Sequence, residues 1–99
     1  SWATYHRLFA PLEQAGIVRR PVVPAHCQHN AHMYYLLLPD GKTRGELIRA
    51  LKAEDIYTVF HYVPLHSSPA GCRFGRCGGE MSVTERSAER LLRLPLWAG

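Results

Sequence analysis

Ninety-nine residues, 46% of them apolar, hold enough material for one modest core and a single small domain. The formal charge of +4 raises the question of nucleic acid. The arginines, however, fall in separate places (Arg19 and Arg20, Arg73 and Arg76, Arg86 to Arg93), with no basic stripe interleaved with aromatics, so a solvated surface or an anionic small molecule accounts for the excess. No apolar run approaches bilayer-spanning length, no leader pattern opens the chain, and three cysteines make no disulfide framework. The expectation is a cytoplasmic protein without nucleic-acid or membrane partners.

Residues 1–15 read as helix, because Trp2, Tyr5, Phe9 and Leu12 recur at helical spacing on one face. Pro11 should kink or restart it, and Gly16 is a natural C′ residue. The abrupt start on an aromatic helical face suggests the remaining end of a longer helix, hence a fragment. Pro21 and Pro24 make residues 19–24 extended. A polar loop at 25–32 leads into Met33 to Leu38, a run of large apolar residues without alternation, read as a strand buried on both faces. Pro39, Asp40 and Gly41 end it with turn chemistry.

Thr43 and Glu46 have capping-box spacing for a second helix with Leu47, Ile48 and Leu51 as its apolar stripe. Glu54 and Asp55 mark its stop, and Lys42, Arg44, Arg49 and Lys52 should decorate its open face. A further strand is expected at about 57–62, where β-branched and aromatic residues run together. Pro64 and Pro69 then turn the chain into a loop-rich stretch over 64–81, long for an idle connection. Ser82 and Glu85 make a second capping box for a helix over about 83–92. Glu89 to Arg93 is a favourable i,i+4 pair, and a short strand is expected at 94–96. The order suits an α/β (α+β) sandwich: a short sheet with helices on one face.

The stretch 58–71 carries the most chemistry: His61, Tyr62 and His66 sit where a strand feeds a proline-fixed loop, a common way to present reactive side chains. The plainer reading makes Phe60, Val63 and Leu65 core and the histidines merely exposed. His26, Cys27, His29 and His32, with Cys72 and Cys77, invite a zinc reading, but Cys27-x-His29 is too tight and Cys72-x4-Cys77 too wide for usual zinc spacings. No metal ligands are therefore assigned. Cys72 follows Gly71 in the His66 loop, yet no family-specific nucleophilic cysteine signature surrounds it. The glycines at 71, 75, 78 and 79 do not have phosphate-loop spacing.

In order along the chain stand Asn30-Ala31-His32-Met33-Tyr34-Tyr35, Glu46-Leu47-Ile48 with Leu51-Lys52, His61 to Gly71, and Glu89 to Leu96. Together with the helix from Trp2 and the Ala10-Pro11-Leu12 step, they resemble the C-terminal part of the DegT/DnrJ/EryC1/StrS family of sugar aminotransferases, over nearly the full length. The resemblance implies the small C-terminal domain of a fold-type I enzyme dependent on pyridoxal 5′-phosphate. It also implies that the large cofactor-binding domain with its Schiff-base lysine, and a final helix, lie outside residues 1–99.

The implied parent is a homodimer that moves an amino group from glutamate to the C4 ketone of a dTDP-4-keto-6-deoxyhexose, in cell-surface polysaccharide biosynthesis. The cofactor acts there as electron sink. By the same resemblance the 61–66 loop faces the sugar nucleotide. His66 is the leading substrate-binding residue, to a sugar hydroxyl or the diphosphate, with His61 and Tyr62 shaping the pocket. Asn30 and His32 fall in a matched motif but suit a structural role equally. No catalytic or cofactor-binding residue is assigned, because Lys42 and Lys52 are most simply solvated, and the segment alone should be inactive and bind no cofactor. Cys72 and Cys77 match no feature of the family. The rival reading is a stand-alone α/β binding module stabilised by zinc through Cys27, Cys72 or Cys77. The fragment reading instead leaves an apolar face on Trp2, Tyr5 and Phe9 uncovered.

Overall fold

The computed structural model of the chain describes residues 1–97. Helices α1 (Trp2–Leu8) and α2 (Ala10–Gln14) precede strand β1 (Tyr34–Leu37) and helix α3 (Gly41–Ala53). A single 3-10 turn (Leu65–Ser67), α4 (Pro69–Phe74), α5 (Ser82–Arg90) and strand β2 (Leu91–Leu94) follow. The strands pair antiparallel, with Tyr34 opposite Leu94 and Leu37 opposite Leu91. A single-residue bridge extends each edge, Arg19 to Leu37 on one side and Val59 to Arg93 on the other. This is the small α+β arrangement expected, with a two-stranded sheet.

The core lies on one face of that sheet. Tyr34, Leu36 and Leu38 alternate inward and meet Leu92, while Tyr35 and Leu37 are only half-buried. The strand is therefore buried on one face, not on both: its continuous apolar run concealed the ordinary period-two alternation of an antiparallel pair. Trp2, Tyr5 and Phe9 of the first helical segment and Leu47, Ile48 and Leu51 of α3 close over this face. Burying a side chain such as Leu92 contributes about 1.5–3 kcal/mol.

The aromatic face of α1 is covered, contrary to the expectation that Trp2, Tyr5 and Phe9 would be left open. The Trp2 indole N–H donates to the Met33 carbonyl at 3.1 Å, and the Tyr5 hydroxyl donates to the Pro95 carbonyl at 2.7 Å. The rings of Tyr5 and Phe9 lie against Tyr34 at 5.3 and 6.2 Å. These contacts lay α1 across the ends of both strands. The helix breaks at Phe9, with Pro11 in the first turn of α2. Gly16 takes the left-handed backbone (φ +75°) that ends α2.

Three local expectations change. Asp40 is the cap of α3: its carboxylate accepts from the Thr43 backbone N–H at 2.7 Å, so the helix starts three residues before the Thr43 capping box would place it. The helix from Ser82 is preceded by Met81 without a side-chain cap, and it ends at Arg90 because the chain passes straight into β2, which starts three residues earlier than the strand expected at 94–96. Arg93 accordingly lies on β2 rather than one helical turn beyond Glu89, which removes their i,i+4 relation. The strand expected over 57–62 shrinks to the bridge at Val59. Val59 and Phe60 stand half-exposed and Tyr62 has φ +50°, so the β-favouring side chains there have no buried face to pack on.

Beneath α1 a polar knot joins both short helices to the extended segment. Glu13 accepts from the Arg20 backbone N–H at 2.6 Å and from its Nε at 3.0 Å, while Arg20 Nη1 donates to the His6 carbonyl at 2.5 Å. The hydrogen bonds from Arg20 hold the Glu13 carboxyl below its ordinary 4.5, and burial, then the charge of Arg20, lowers His6 from 6.5. Both groups bind protons more readily in the unfolded chain, so stability rises with pH through their windows. The contributions are complete above about pH 4.5 for Glu13 and 6.5 for His6, and they are lost as pH falls through the lower folded values.

Two outcomes are expected. Leu92→Ala, at a fully buried position, should cost about 2–5 kcal/mol in urea unfolding. Unfolding midpoints measured from pH 7.5 down to 4 should fall, and His6→Gln should flatten the upper part of that fall.

Candidate functional site

Residues 58–74 leave the edge of the sheet and fold back onto α5. Thr58 is buried where the segment meets the sheet, and Val59 and Arg93 exchange backbone hydrogen bonds of 3.3 and 2.8 Å. The Phe60 ring then lies under the Arg44 guanidinium, 5.9 Å from its centroid. Phe60, Val63 and Leu65 are 51, 58 and 78% exposed, so they are not core residues. Tyr62, Phe74 and Val83 are exposed apolar side chains as well.

Serine chemistry builds the turn that carries His66. Ser67 Oγ donates to the Pro64 carbonyl at 3.2 Å and Ser68 Oγ to the Leu65 carbonyl at 2.8 Å. Ser68 Oγ also accepts from the Gly71 N–H at 3.0 Å, which caps α4, and Pro69 occupies its first turn. At Gly71 a Cβ would stand 1.6 Å from the Leu65 carbonyl oxygen, so α4 docks on the turn only with glycine there. The Cys72 thiol donates to the His66 carbonyl at 3.3 Å. A segment that reads as open loop in the sequence is thus two short helical pieces held together by side-chain-to-backbone bonds.

His66 Nε2 lies 3.1 Å from Glu85 Oε1 on α5, and the imidazole is mostly covered. It lines a cavity of about 790 Å³ with Leu65, Cys72, Phe74, Cys77 and Thr84. His61 and Tyr62 line a different cavity, of about 450 Å³, walled by Val83, Ser87 and Leu91. Thr84 lines both, so the two cavities adjoin along α5. The three expected substrate-binding residues therefore line two cavities: His66 one, His61 and Tyr62 the other. The His61 and Tyr62 rings stand edge to face at 5.5 Å, both exposed to solvent.

The other candidates take structural places. Asn30 Oδ1 lies 2.6 Å from His32 Nδ1 and accepts from the His32 backbone N–H at 3.3 Å, a local turn before β1. The His29 ring packs on Trp2 at 4.5 Å. Cys27, Cys72 and Cys77 are free and exposed, and among the described residues no three His, Cys, Asp or Glu side chains converge as metal ligands. The zinc-stabilised arrangement is not formed by these residues.

Two working residues were assigned otherwise from sequence. Glu85 is no capping-box member; it holds His66 across nineteen positions, a pairing that no local spacing encodes. Arg44 does not decorate the open face of α3. It donates to the carbonyls of Ala88 and, at 3.5 Å, Leu91, tying α3 to the α5–β2 junction. That role had a signal: Arg44 precedes Leu47, Ile48 and Leu51 at i+3, i+4 and i+7 and so shares their face.

Pyridoxal phosphate needs an amine for its Schiff base. Lys42 is exposed and 4.0 Å from Glu46, and Lys52 is exposed on the last turn of the same helix; neither lines the His66 cavity. The residues of this chain alone do not fit that cofactor.

Gly71→Ala should displace α4 from the His66 turn and cost about 1–3 kcal/mol in denaturant unfolding, because a backbone oxygen cannot yield as a flexible side chain can. Limited proteolysis within 64–75, faster in the variant, checks where the structure gave way.

The whole chain, residues 1–99, matches the model of the DegT/DnrJ/EryC1/StrS aminotransferase family. It is 32% identical over 97 residues to an uncharacterized protein of Methanocaldococcus jannaschii, covering 94% of this chain and 24% of that protein. It is 31% identical over 96 residues to a pleiotropic regulatory protein of Geobacillus stearothermophilus, covering 96% and 25%. The chain thus spans about a quarter of the length of these relatives. Among solved structures it superposes on the aminotransferase TlmJ from Streptoalloteichus hindustanus with a TM-score of 0.72 and 30% identity, covering 92% of this chain and 24% of that one. A DegT/DnrJ/EryC1/StrS aminotransferase from Brucella abortus gives 0.74 and 28%, covering 92% and 23%. The chain belongs to the DegT/DnrJ/EryC1/StrS aminotransferase family.

Proposed function

We propose that these residues are the small C-terminal domain of a pyridoxal-phosphate-dependent sugar aminotransferase, whose remaining part holds the cofactor and the Schiff-base lysine. One observation carries the reading. In a chain that matches an aminotransferase family throughout, His66 is fixed by Glu85 at the wall of a cavity of about 790 Å³. The apolar side chains left exposed at Phe60, Tyr62, Val63, Leu65 and Phe74 give the remainder of such a protein, or a second subunit of a homodimer, a surface to cover.

The substrate we assign is a dTDP-4-keto-6-deoxyhexose, with glutamate as amino donor. The motifs are similar to those of dTDP-4-amino-4,6-dideoxygalactose transaminase, which would place the reaction in cell-surface polysaccharide biosynthesis. What this chain supplies is a held imidazole. With Nε2 engaged by the Glu85 carboxylate, Nδ1 is the ring nitrogen left for a ligand, and a sugar hydroxyl can pair with it as donor or acceptor. Glu85 fixes the ring's orientation and tautomer by a bond that is worth little to stability at a partly exposed site. Its value lies in presenting one ring nitrogen to the ligand. The Schiff-base chemistry, in which the cofactor serves as electron sink, belongs to the part that holds it.

The test uses the full-length protein incubated with pyridoxal phosphate and reduced with borohydride. A single pyridoxyl-lysine outside residues 1–99 is expected; an adduct on Lys42 or Lys52, or none at all, overturns the reading. His66→Asn should then raise KM for the nucleotide sugar about tenfold, the weight of one hydrogen bond in a desolvated site, with cofactor loading unchanged.

A further inference from the structure

Of the three cysteines, Cys27 lies in the loop before β1, whereas Cys72 and Cys77 both line the His66 cavity. We propose that Cys72 and Cys77 form a redox modification site: a dithiol that closes to an intramolecular disulfide by exchange with an anionic low-molecular-weight disulfide, and in doing so alters the hold on His66. The coupling to a substrate residue rests on the function proposed above; the disulfide itself does not.

Four observations meet here. Both cysteines line one cavity and both are exposed, so a small oxidant reaches them. Only four residues separate them, and the helix carrying Cys72 ends at Phe74 with an extended Gly75 after it. Beyond Cys77, nothing stands within 4 Å of where a Cβ on Gly78 or Gly79 would be, so no packing at these two positions opposes a movement that brings Cys77 to Cys72. Arg73 and Arg76 lie between the two thiols and carry the positive charge that favours encounter with a carboxylate-bearing disulfide such as oxidised glutathione.

The exchange balances without any other reactant. One cysteine thiolate attacks a sulfur of the small disulfide, whose S–S bond breaks and releases one thiolate. The second cysteine thiolate then attacks the protein-bound sulfur of the mixed disulfide and expels the other small thiolate. Two protons from the cysteine thiols end on the two released thiols; the protein sulfurs are oxidised and the external disulfide is reduced.

The consequence for the site follows from one bond. In the dithiol, the Cys72 S–H donates to the His66 carbonyl. A disulfide sulfur has no hydrogen to donate, so oxidation deletes that bond and draws the Cys72 side chain toward residue 77. His66 then keeps Glu85 but loses its anchor to α4.

Trypsin cuts after Lys52, Arg73, Arg76 and Arg86, so Cys72 falls in peptide 53–73 and Cys77 in peptide 77–86. The full-length protein is incubated with oxidised glutathione, its remaining thiols are blocked with N-ethylmaleimide, and the digest is read without reduction. The expected result is peptide 53–73 joined to 77–86, with Cys27 alkylated. In Cys77→Ser the reaction should stop at a glutathione adduct on Cys72. Alkylation of both peptides, lasting glutathione adducts on the unsubstituted protein, or a bridge involving Cys27 overturns the site.

Diethylpyrocarbonate labelling of His66, located by fragmenting peptide 53–73, should be about twofold faster in the disulfide form, the weight of one weak hydrogen bond. Equal labelling of the two forms overturns the coupling to His66. None of these readings depends on transamination, so they separate from failure of the proposed function.

Discussion

The chain passes from helix to strand between Arg90 and Leu91 with no connecting residue, and this junction positions the rest of the molecule. The Leu38 backbone N–H donates to the Arg90 carbonyl at 2.9 Å, and Arg90 Nε donates back to the Leu38 carbonyl at 2.6 Å. Arg44 adds bonds from α3 to the carbonyls of Ala88 and Leu91. The last carbonyls of a helix lack partners within it. Here the Leu38 amide and the Arg44 guanidinium supply partners at that end, and Arg90 ties it back to the Leu38 carbonyl, so the direction of α5 is fixed by the pairing of β2. Leu92, fully buried two residues beyond Arg90, makes the arrangement cooperative with the core.

A site built on a helix held in this way inherits its precision from the sheet. Glu85 and Thr84 occupy the far half of α5, and everything that faces the two cavities is measured from them. The segment bearing His61, Tyr62 and His66 contributes little apolar burial of its own. It is anchored by the Val59 bridge at one end, by the Glu85 carboxylate and by the serine-built turn around Gly71. Such a segment has low local stability beside a firm support, the usual condition of residues that must meet a ligand. His66 lines one cavity and His61 and Tyr62 another, so one offers an ordered imidazole and the other an exposed ring pair.

Family membership and physical reading meet at the exposed apolar surface. An isolated small domain would be expected to bury Phe74 and Leu65, yet they are 80 and 78% exposed. The chain matches only about a quarter of the length of its relatives. The surface that sequence reading expected to find uncovered was the aromatic face of α1. That face is consumed internally, because Trp2 and Tyr5 each carry a polar tip that finds a strand-end carbonyl.

The sequence by itself determined the parts whose causes are local. It determined the helices at residues 2–14 with their break near Pro11, the left-handed Gly16, the apolar stripe of α3 and its end before Asp55, and the strand at Tyr34. It also carried the ordered motifs by which the family is recognised. Local spacing, however, misplaced both caps, because Asp40 competes better than Thr43 for the free amide groups of α3 and because Glu85 is engaged by His66. It promised a strand at 57–62, where propensity is high but no buried face exists to reward it.

Only the tertiary structure decided which cavity beside α5 each of His61, Tyr62 and His66 lines, that Arg44 braces the junction, and that Cys72 and Cys77 share a cavity with His66. These relations join residues on different elements of the fold. They depend on how elements pack, and packing is settled by the sheet register and the core, which no short window of sequence contains.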